Sequence, residues 1–354
     1  MIAAGARTLL VGPLPIEGDV IGGTKVSFRA LVEGLARTEL AFEVHDTSRP
    51  RAGRGRLGRA ALDLRGLGAL LGRLRRGRYD VVLWNVSSGA ALASLPLVAA
   101  ACRARRTRLV LRVFGGDLDL FYERAPRWQR ALFRRALGSV ERVLLQTRAL
   151  CGRFDALARV EWFPTTRDLP QRPPRPGRRA QRFLFLAQLR REKGVVEAVE
   201  AIQRVGGEVT LTVHGPAMPG FDLGTLAAHP SWSYGGPVPS ARVPDVLAAH
   251  DALVFPTYHS GEGLPGIVVE ALQVGLPIVA SRFRALEELV EDGVNGLLVP
   301  AQDSVALATA MARLSADPEL AARLAAGARA SGDRLRPGPW LDRLQGWLAD
   351  PQST

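Results

Sequence analysis

Short apolar runs alternate with segments of helical periodicity along the whole chain, and this alternation is the strongest constraint on its fold. Four runs lie in the first half, within residues 8–14, 80–86, 108–116 and 142–147. Four more lie in the second half, within residues 182–189, 208–215, 252–257 and 276–281. Continuous apolar strands separated by helices are typical of parallel sheets covered on both faces. The sequence therefore predicts an α/β fold.

The chain of 354 residues is long enough for two domains of ordinary size. Residues 166–181 are rich in proline and arginine, which predicts a linker between an N-terminal domain, residues 1–165, and a C-terminal domain, residues 182–335. Ligands of doubly wound sheets bind outside the carboxyl ends of the strands, so two such domains facing each other would form a central cleft. Residues 336–354 show an amphipathic pattern after a Pro-Gly break and are predicted to pack back on the N-terminal domain as a helix.

The net charge of +13 is carried almost entirely by arginine. Ten arginines lie within residues 49–78, where leucines interleave with them as in an amphipathic helix. Such a helix could lie on an anionic bilayer, or its leucines could pack on the sheet while the arginines face solvent. A nucleic-acid partner is not expected, because no aromatic residue stands among these arginines.

No signal peptide and no confident membrane span is predicted, since the longest apolar run, residues 89–102, is short and contains Pro96. The expected location is cytoplasmic, with peripheral contact at the inner face of a membrane left open. Cys102 and Cys151 have no metal-ligand spacing and are expected to be reduced thiols.

Residues 257–281 place Glu262 and Glu270 in an apolar run that glycine and proline interrupt. The pattern predicts a strand, a tight loop and a helix that begins near Gly266 and ends at Gly275. Glycines let a ligand approach the backbone, and a helix start offers unpaired N–H groups to a diphosphate. A carboxylate can accept two hydroxyl groups, so the two glutamates could hold the sugar and the ribose of a sugar nucleotide. The alternative is structural: Glu262 in solvent, and Glu270 favoured by the helix dipole.

The two lysines of the chain both fall in loops that follow predicted strands. Lys193 lies in a charged loop with Arg190 and Arg191, and Lys25 follows a glycine pair near the N-terminus. Cations at these positions would neutralise the charge that builds on a leaving diphosphate.

Five segments of the second half carry these features in order: FLAQLRREKGVVEAV, VHGPAMPG, WSYGGPVPSARVPDVLAAHDALVFPTY, EGLPGIVVEALQVGLPIVAS and ALEELVEDGVNGLLVP. With the looser matches IGGTKVSFRALVEGLA and RLVLRVFGGDLDLFYER in the first half, the chain resembles the retaining nucleotide-sugar glycosyltransferases of family 4. The resemblance implies the GT-B fold, in which two Rossmann-like domains face a central cleft. It also implies transfer of a sugar from a nucleotide diphosphate sugar to an acceptor hydroxyl.

The same resemblance implies roles for individual residues. Glu262 would contact hydroxyls of the transferred sugar, Glu270 the ribose hydroxyls, and Lys193 the donor phosphates. The remaining implied donor contacts are the backbone at Leu264, Pro265, Gly266 and Ile267 for the diphosphate, Gly22 and Gly23 in a closing loop, and Gly235 near the nucleobase.

Two departures from the family's pattern bear on the reaction centre. Gln188 stands where a phosphate-binding arginine is expected, which leaves Arg190 or Arg191 as the candidate substitute. Phe114 stands where many members have a histidine, which leaves Asp117 as the candidate polar contact near the donor sugar.

No metal and no cofactor are expected, because Lys193 and the helix start would already supply positive charge. Asp117 and Asp119 have D-x-D spacing, so a Mg²⁺ or Mn²⁺ site is the alternative. The five histidines show no ligand spacing.

The expected function is that of a retaining, metal-independent glycosyltransferase with a glycan, lipid-linked or small-molecule acceptor. Retention through a covalent intermediate requires a carboxylate nucleophile, and none is identified, so attack from the face of the leaving phosphate is expected. The alternative is a catalytically inactive protein that binds sugar nucleotides at a membrane surface, because Gln188 and Phe114 depart from the family's pattern.

Overall fold

The computed structural model describes residues 7–15, 23–48, 56–171 and 179–349, except for the side chains of residues 56–61. The chain divides into two compact units. One consists of Met1–Pro164 together with Pro337–Thr354, and the other of Thr165–Arg336.

The described strands of the first unit form one parallel sheet. They are β1 (Thr8–Gly12), β2 (Phe42–Asp46), β3 (Val81–Ser87), β4 (Arg108–Phe114), β5 (Arg142–Leu145) and β6 (Val160–Trp162). The helices are α1 (Gly23–Leu35), α2 (Arg56–Arg76), α3 (Ser88–Ala104), α4 (Leu118–Arg124), α5 (Arg127–Leu137) and α6 (Arg148–Phe154). The strand order is β2-β1-β3-β4-β5-β6. The central strands are buried on both faces, as their continuous apolar runs predict.

The second unit is built in the same way. Its described strands are β7 (Arg182–Leu186), β8 (Thr210–His214), β9 (Trp232–Tyr234), β10 (Ala252–Phe255), β11 (Ile278–Ser281) and β12 (Gly296–Val299). Its helices are α7 (Val195–Val205), α8 (Val243–Ala249), α9 (Gly266–Val274), α10 (Ser304–Ala316) and α11 (Pro318–Asp333). The parallel strands lie in the order β12-β11-β10-β7-β8-β9. The prediction of two Rossmann-like units is confirmed.

The last helix, α12 (Pro337–Ala349), belongs to the first unit. Its Trp340, Leu344 and Trp347 are buried in one apolar cluster with Phe28 of α1. Gly34 of α1 allows this close packing, because a Cβ there would lie 2.7 Å from Cδ1 of Leu341.

The segment predicted as a linker, residues 166–181, begins inside the second unit. The hydroxyl of Thr165 donates to the carbonyl of Leu264 at 2.8 Å, and the amide of Leu169 donates to Oε1 of Gln273 at 3.1 Å. Residues 172–178 of this segment lie outside the described residues.

The arginine-rich segment contains α2, and part of it lies outside the described residues. Leu70 and Leu74 are buried, and Leu67 and Leu71 pack against the same core. These leucines pack as expected for a helix that rests on the sheet with its arginines in solvent. Leu64 is an exception, because its side chain is exposed. Within the described residues, every helix is too short or too polar to span a membrane.

Candidate active site

The loops that follow β7 and β10 are joined by hydrogen bonds at one edge of the second sheet. After β7, Arg191–Lys193 forms a turn of 3₁₀ helix. In the loop after β10, the buried hydroxyl of Thr257 lies 3.1 Å from the carbonyl oxygen of Glu192 and 3.2 Å from Oε2 of Glu262. The amide of Tyr258 donates to the same carbonyl at 2.8 Å. These bonds fix the two loops that carry Lys193 and Glu262.

Lys193 and Glu262 form an ion pair across these loops. Nζ of Lys193 donates to Oε2 of Glu262, and the two side chains are only 14% and 10% exposed. Burial of a carboxylate is costly unless a charged or polar partner compensates it, and Lys193 and Thr257 are those partners. Glu262 is therefore not a solvated loop residue. The fold brings together two predicted site residues that are 69 positions apart.

Gly194 allows the Lys193 turn to approach the end of β10. Its φ is +77°, and a Cβ there would lie 2.2 Å from the carbonyl oxygen of Pro256. Both the left-handed backbone and the contact with a backbone atom require glycine. The position of Lys193 therefore depends on the residue that follows it.

We expect Gly194→Ala to destabilise the second unit by several kcal/mol and to impair donor binding, because the new methyl group would collide with the carbonyl of Pro256. Gly207 is the matched control: its φ is +69°, and a Cβ there would meet nothing within 4 Å. Gly207→Ala should cost only the strain of an L-residue in the left-handed backbone region, about 1–2 kcal/mol. Urea unfolding of both variants measures the difference. Equal losses of stability in the two variants would show that a Cβ at position 194 does not collide with the carbonyl of Pro256.

Glu270 is held by Arg167, a residue that the sequence analysis did not single out. Nε of Arg167 donates to Oε1 of Glu270 at 2.7 Å, and Nη1 donates to the carbonyl of Thr166 at 2.8 Å. Both side chains are largely buried. Burial raises the pKa of Glu270, and the charge and hydrogen bond of Arg167 oppose this shift. Glu270 is thus a paired, buried acid rather than a solvent-facing partner of the helix dipole.

The start of α9 lies beside the same guanidinium group. Val268 and Val269 donate their amides to the carbonyl of Pro265, and no side chain caps this helix. A Cβ on Gly266 would lie 2.3 Å from Nη2 of Arg167, so the guanidinium group contacts the first turn. A cation at a helix N-terminus is electrostatically unfavourable unless an anion is near, and Glu270 supplies that anion. Of the other predicted backbone contacts, Leu264 and Pro265 are buried and Ile267 is partly exposed.

Gly235 lies after β9, where the backbone crosses the ring of His214. A Cβ at Gly235 would lie 2.2 Å from Cε1 of that ring, and Nδ1 of His214 lies 3.0 Å from the carbonyl oxygen of Gly236. The hydroxyl of Tyr234 donates to the carbonyl of Gly215 at 2.8 Å. This turn therefore has a fixed backbone, as a main-chain contact to a nucleobase would require.

The two candidate substitutes for the missing arginine differ in their surroundings. Arg191 is exposed, whereas Nε of Arg190 is buried and has no hydrogen-bond partner within the described part of the chain. A buried donor without a partner costs free energy, which an anionic ligand would recover. The roles of Arg190 and Arg191 as substitutes stay predictions.

The candidates of the first unit lie at the starts of two helices. Gly23 is the exposed first residue of α1, and Gly22 lies outside the described residues. Asp117 precedes α4 and makes no side-chain capping bond, and Asp119 lies in the first turn of that helix. In the described ranges, no group of three or more His, Cys, Asp or Glu residues could hold a metal ion. The predicted roles of Gly22, Gly23 and Asp117 stay predictions.

Comparison with known proteins bears directly on the second unit. Residues 180–317 match the family model described as Glycosyl transferases group 1. The matched residues all lie within the second unit. A D-inositol 3-phosphate glycosyltransferase of Xylanimonas cellulosilytica is 34% identical over 167 residues, which are 43% of this chain and 38% of that protein. The similarity thus spans well under half the length of this relative.

Solved structures resemble the chain over nearly its whole length. A sucrose-phosphate synthase from Thermosynechococcus elongatus has a TM-score of 0.77 at 16% identity, covering 97% of this chain and 98% of that one. The HepE protein of Anabaena in complex with UDP and glucose has a TM-score of 0.70 at 18% identity, covering 96% and 99%. At such identities the similarity establishes the fold, which is GT-B as predicted.

Two largely buried ion pairs of the second unit contain three of the predicted site residues. One is Lys193 with Glu262, and the other is Glu270 with Arg167 beside the start of α9. The glycosyltransferase resemblance is confirmed, while membership of family 4 and retention of configuration stay predictions.

Proposed function

We propose that the protein is a retaining glycosyltransferase that moves a sugar from a nucleotide diphosphate sugar to an acceptor hydroxyl without a metal ion. The observation that carries the proposal is the largely buried Lys193–Glu262 ion pair at the carboxyl edge of the sheet, in the unit that matches the group 1 glycosyl transferase model. A buried, fixed ammonium group at such an edge is suited to an anionic ligand.

The proposed reaction separates charge between the sugar and the leaving diphosphate. Lys193, Arg190 and the amides at the start of α9 would stabilise the diphosphate, each contributing a few kcal/mol (about 10²–10³-fold). Glu262 would accept sugar hydroxyls and Glu270 the ribose hydroxyls, because carboxylates are acceptors with several lone pairs. Lys193 also keeps the acceptor oxygens of Glu262 oriented before the donor binds.

The proposed step breaks the bond between the anomeric carbon and the phosphate oxygen and forms one from that carbon to the acceptor oxygen. The acceptor proton passes to the leaving phosphate oxygen on the same face of the sugar, so the anomeric configuration is retained. This route requires no carboxylate nucleophile, in contrast to retention through a covalent intermediate. Metal independence is proposed because the cations of the chain itself would balance the diphosphate charge.

The acceptor is proposed to be a hydroxyl-rich compound such as a glycan, a lipid-linked sugar or a small polyol. The relative named for D-inositol 3-phosphate supports a polyol or sugar class of acceptor. The complex of the Anabaena protein with UDP and glucose supports UDP-sugars as the first donors to test. A cytoplasmic location with peripheral membrane contact stays a prediction.

The test is to incubate the protein with UDP-, GDP- and ADP-sugars, with and without EDTA, and to measure release of the nucleoside diphosphate. We expect release from at least one donor, undiminished by EDTA, and a product with the anomeric configuration of the donor by NMR. Loss of activity in EDTA would contradict metal independence, and an inverted product would contradict retention. No release from any donor, together with no binding, would contradict the proposed function itself.

A further inference from the structure

Helix α5 exposes large apolar side chains on the side that faces solvent. Trp128 is 66% exposed and Leu132 is 48% exposed. The two residues are four positions apart and therefore lie on one face of the helix. The other five tryptophans of the chain are buried or half-buried, so Trp128 is the exception among them.

This exposed face is not the face by which α5 joins the core. Phe133, Ala136 and Leu137 are buried and anchor the opposite side of the helix. Phe133 packs its ring against those of Tyr122 and Phe154. The fold of the unit therefore does not require Trp128 and Leu132 to be apolar.

Arginines border the exposed apolar residues. Arg127, Arg134 and Arg135 are exposed, and Arg135 follows Trp128 and Leu132 along the same face at helical spacing. Helix α5 contains no acidic residue. Within the described ranges, no acidic side chain forms an ion pair with these three arginines.

A partner of this face must combine negative charge with an apolar layer. A second copy of the same face would bring cations against cations, which is unfavourable. An anionic bilayer offers both properties, because tryptophan and leucine enter the boundary of the acyl chains while arginine heads stay among the lipid phosphates. A nucleic acid would offer the charge without the apolar layer.

We propose that the exposed face of α5, formed by Arg127, Trp128, Leu132, Arg134 and Arg135, binds the surface of an anionic bilayer. This surface is not the arginine-rich segment, residues 49–78, for which the sequence suggested membrane contact. The described leucines of α2 in that segment are mostly packed in the core. The inference goes beyond the proposed function, because bilayer binding does not depend on sugar transfer.

The experiment is sedimentation of the purified full chain with vesicles of phosphatidylcholine alone and of phosphatidylcholine containing about 30% phosphatidylglycerol. We expect binding to the anionic vesicles only, with a blue shift of tryptophan emission that Trp128→Phe removes, because the other five tryptophans are buried or half-buried. Trp128→Ala/Leu132→Ala should weaken binding at least tenfold. Arg127→Ala/Arg134→Ala/Arg135→Ala should weaken it about 100-fold, since each arginine near an anionic surface contributes about 1 kcal/mol.

Two matched controls separate the contribution of the exposed face of α5 from the general effects of losing an exposed leucine or three positive charges. Leu64→Ala removes another exposed leucine of the same unit. A variant with the same loss of charge replaces three exposed arginines elsewhere: Arg37, Arg313 and Arg323. Both should bind vesicles like the wild type, and all variants should release nucleotide from a donor at the wild-type rate.

Three results would overturn the proposal. The first is equal binding to neutral and anionic vesicles, or no binding to either. The second is wild-type binding by the Trp128→Ala/Leu132→Ala variant. The third is that the protein binds a single-stranded oligonucleotide through the exposed face of α5 and does not bind vesicles. A nucleic acid would then be the partner.

Discussion

Lys193→Ala is expected to lower kcat/KM for donor turnover by about 10²–10³-fold. The largely buried ammonium group of Lys193 would stabilise the leaving diphosphate. Removal of one fixed group that stabilises developing negative charge in an active site lowers the rate by about 10²–10³-fold. Steady-state assays of nucleoside diphosphate release measure the loss. Arg204→Ala removes an exposed cation of α7 and is the matched control, which should keep wild-type activity.

The same substitution also leaves the buried carboxylate of Glu262 without its cation, which by itself destabilises the fold. Lys193→Met/Glu262→Gln removes both charges and should regain stability without regaining activity. Thermal unfolding beside the activity assay separates the two effects. Recovery of turnover in this double variant would contradict a chemical role for the pair.

Arg167→Gln is expected to weaken donor binding about tenfold to 100-fold at neutral pH, because Arg167 orients and stabilises the carboxylate of Glu270. The variant should also move the pH dependence of binding. Burial raises the pKa of Glu270 and Arg167 opposes that shift, so removal of Arg167 should raise the pKa further. A protonated Glu270 has fewer oxygen lone pairs with which to accept the ribose hydroxyls. As the pH is lowered, donor binding should therefore weaken at a higher pH in the variant than in the wild type.

Donor titrations between about pH 8 and pH 5 measure both effects. Arg336→Gln is the control: it removes a partly exposed arginine that pairs with Asp168, the neighbour of Arg167 in sequence. This variant should keep the wild-type affinity and midpoint. A weaker affinity with an unchanged midpoint in Arg167→Gln would mean that Arg167 acts on the donor directly or only on the fold.

The strands that the sequence pattern predicts lie inside the two sheets, and the strands that it misses lie at the sheet edges. β2 and β6 are the edge strands of the first sheet, and their residues are only half-buried. β9 and β12 are the edge strands of the second sheet and have only three and four residues. β2, β6 and β9 lack the continuous apolar run that two covered faces impose, so their local sequences carry a weaker signal, whereas β12 is apolar and mostly buried but short.

The candidate site shows a similar division. Lys193, Glu262 and Glu270 could be singled out because each breaks a local pattern: a rare lysine, or an acid in an apolar run. Arg167 breaks none, because it lies among the prolines and arginines of the predicted linker. Its role arises from a contact with a residue 103 positions away, which only the fold reveals.

The most direct test of the donor site is calorimetric titration of the wild-type protein with the donor that it turns over. We expect one site per chain, with affinity at least tenfold weaker in Lys193→Ala and in Glu270→Ala and unchanged in Arg204→Ala. Wild-type affinity in both site variants would contradict the assignment of the donor site to the second unit.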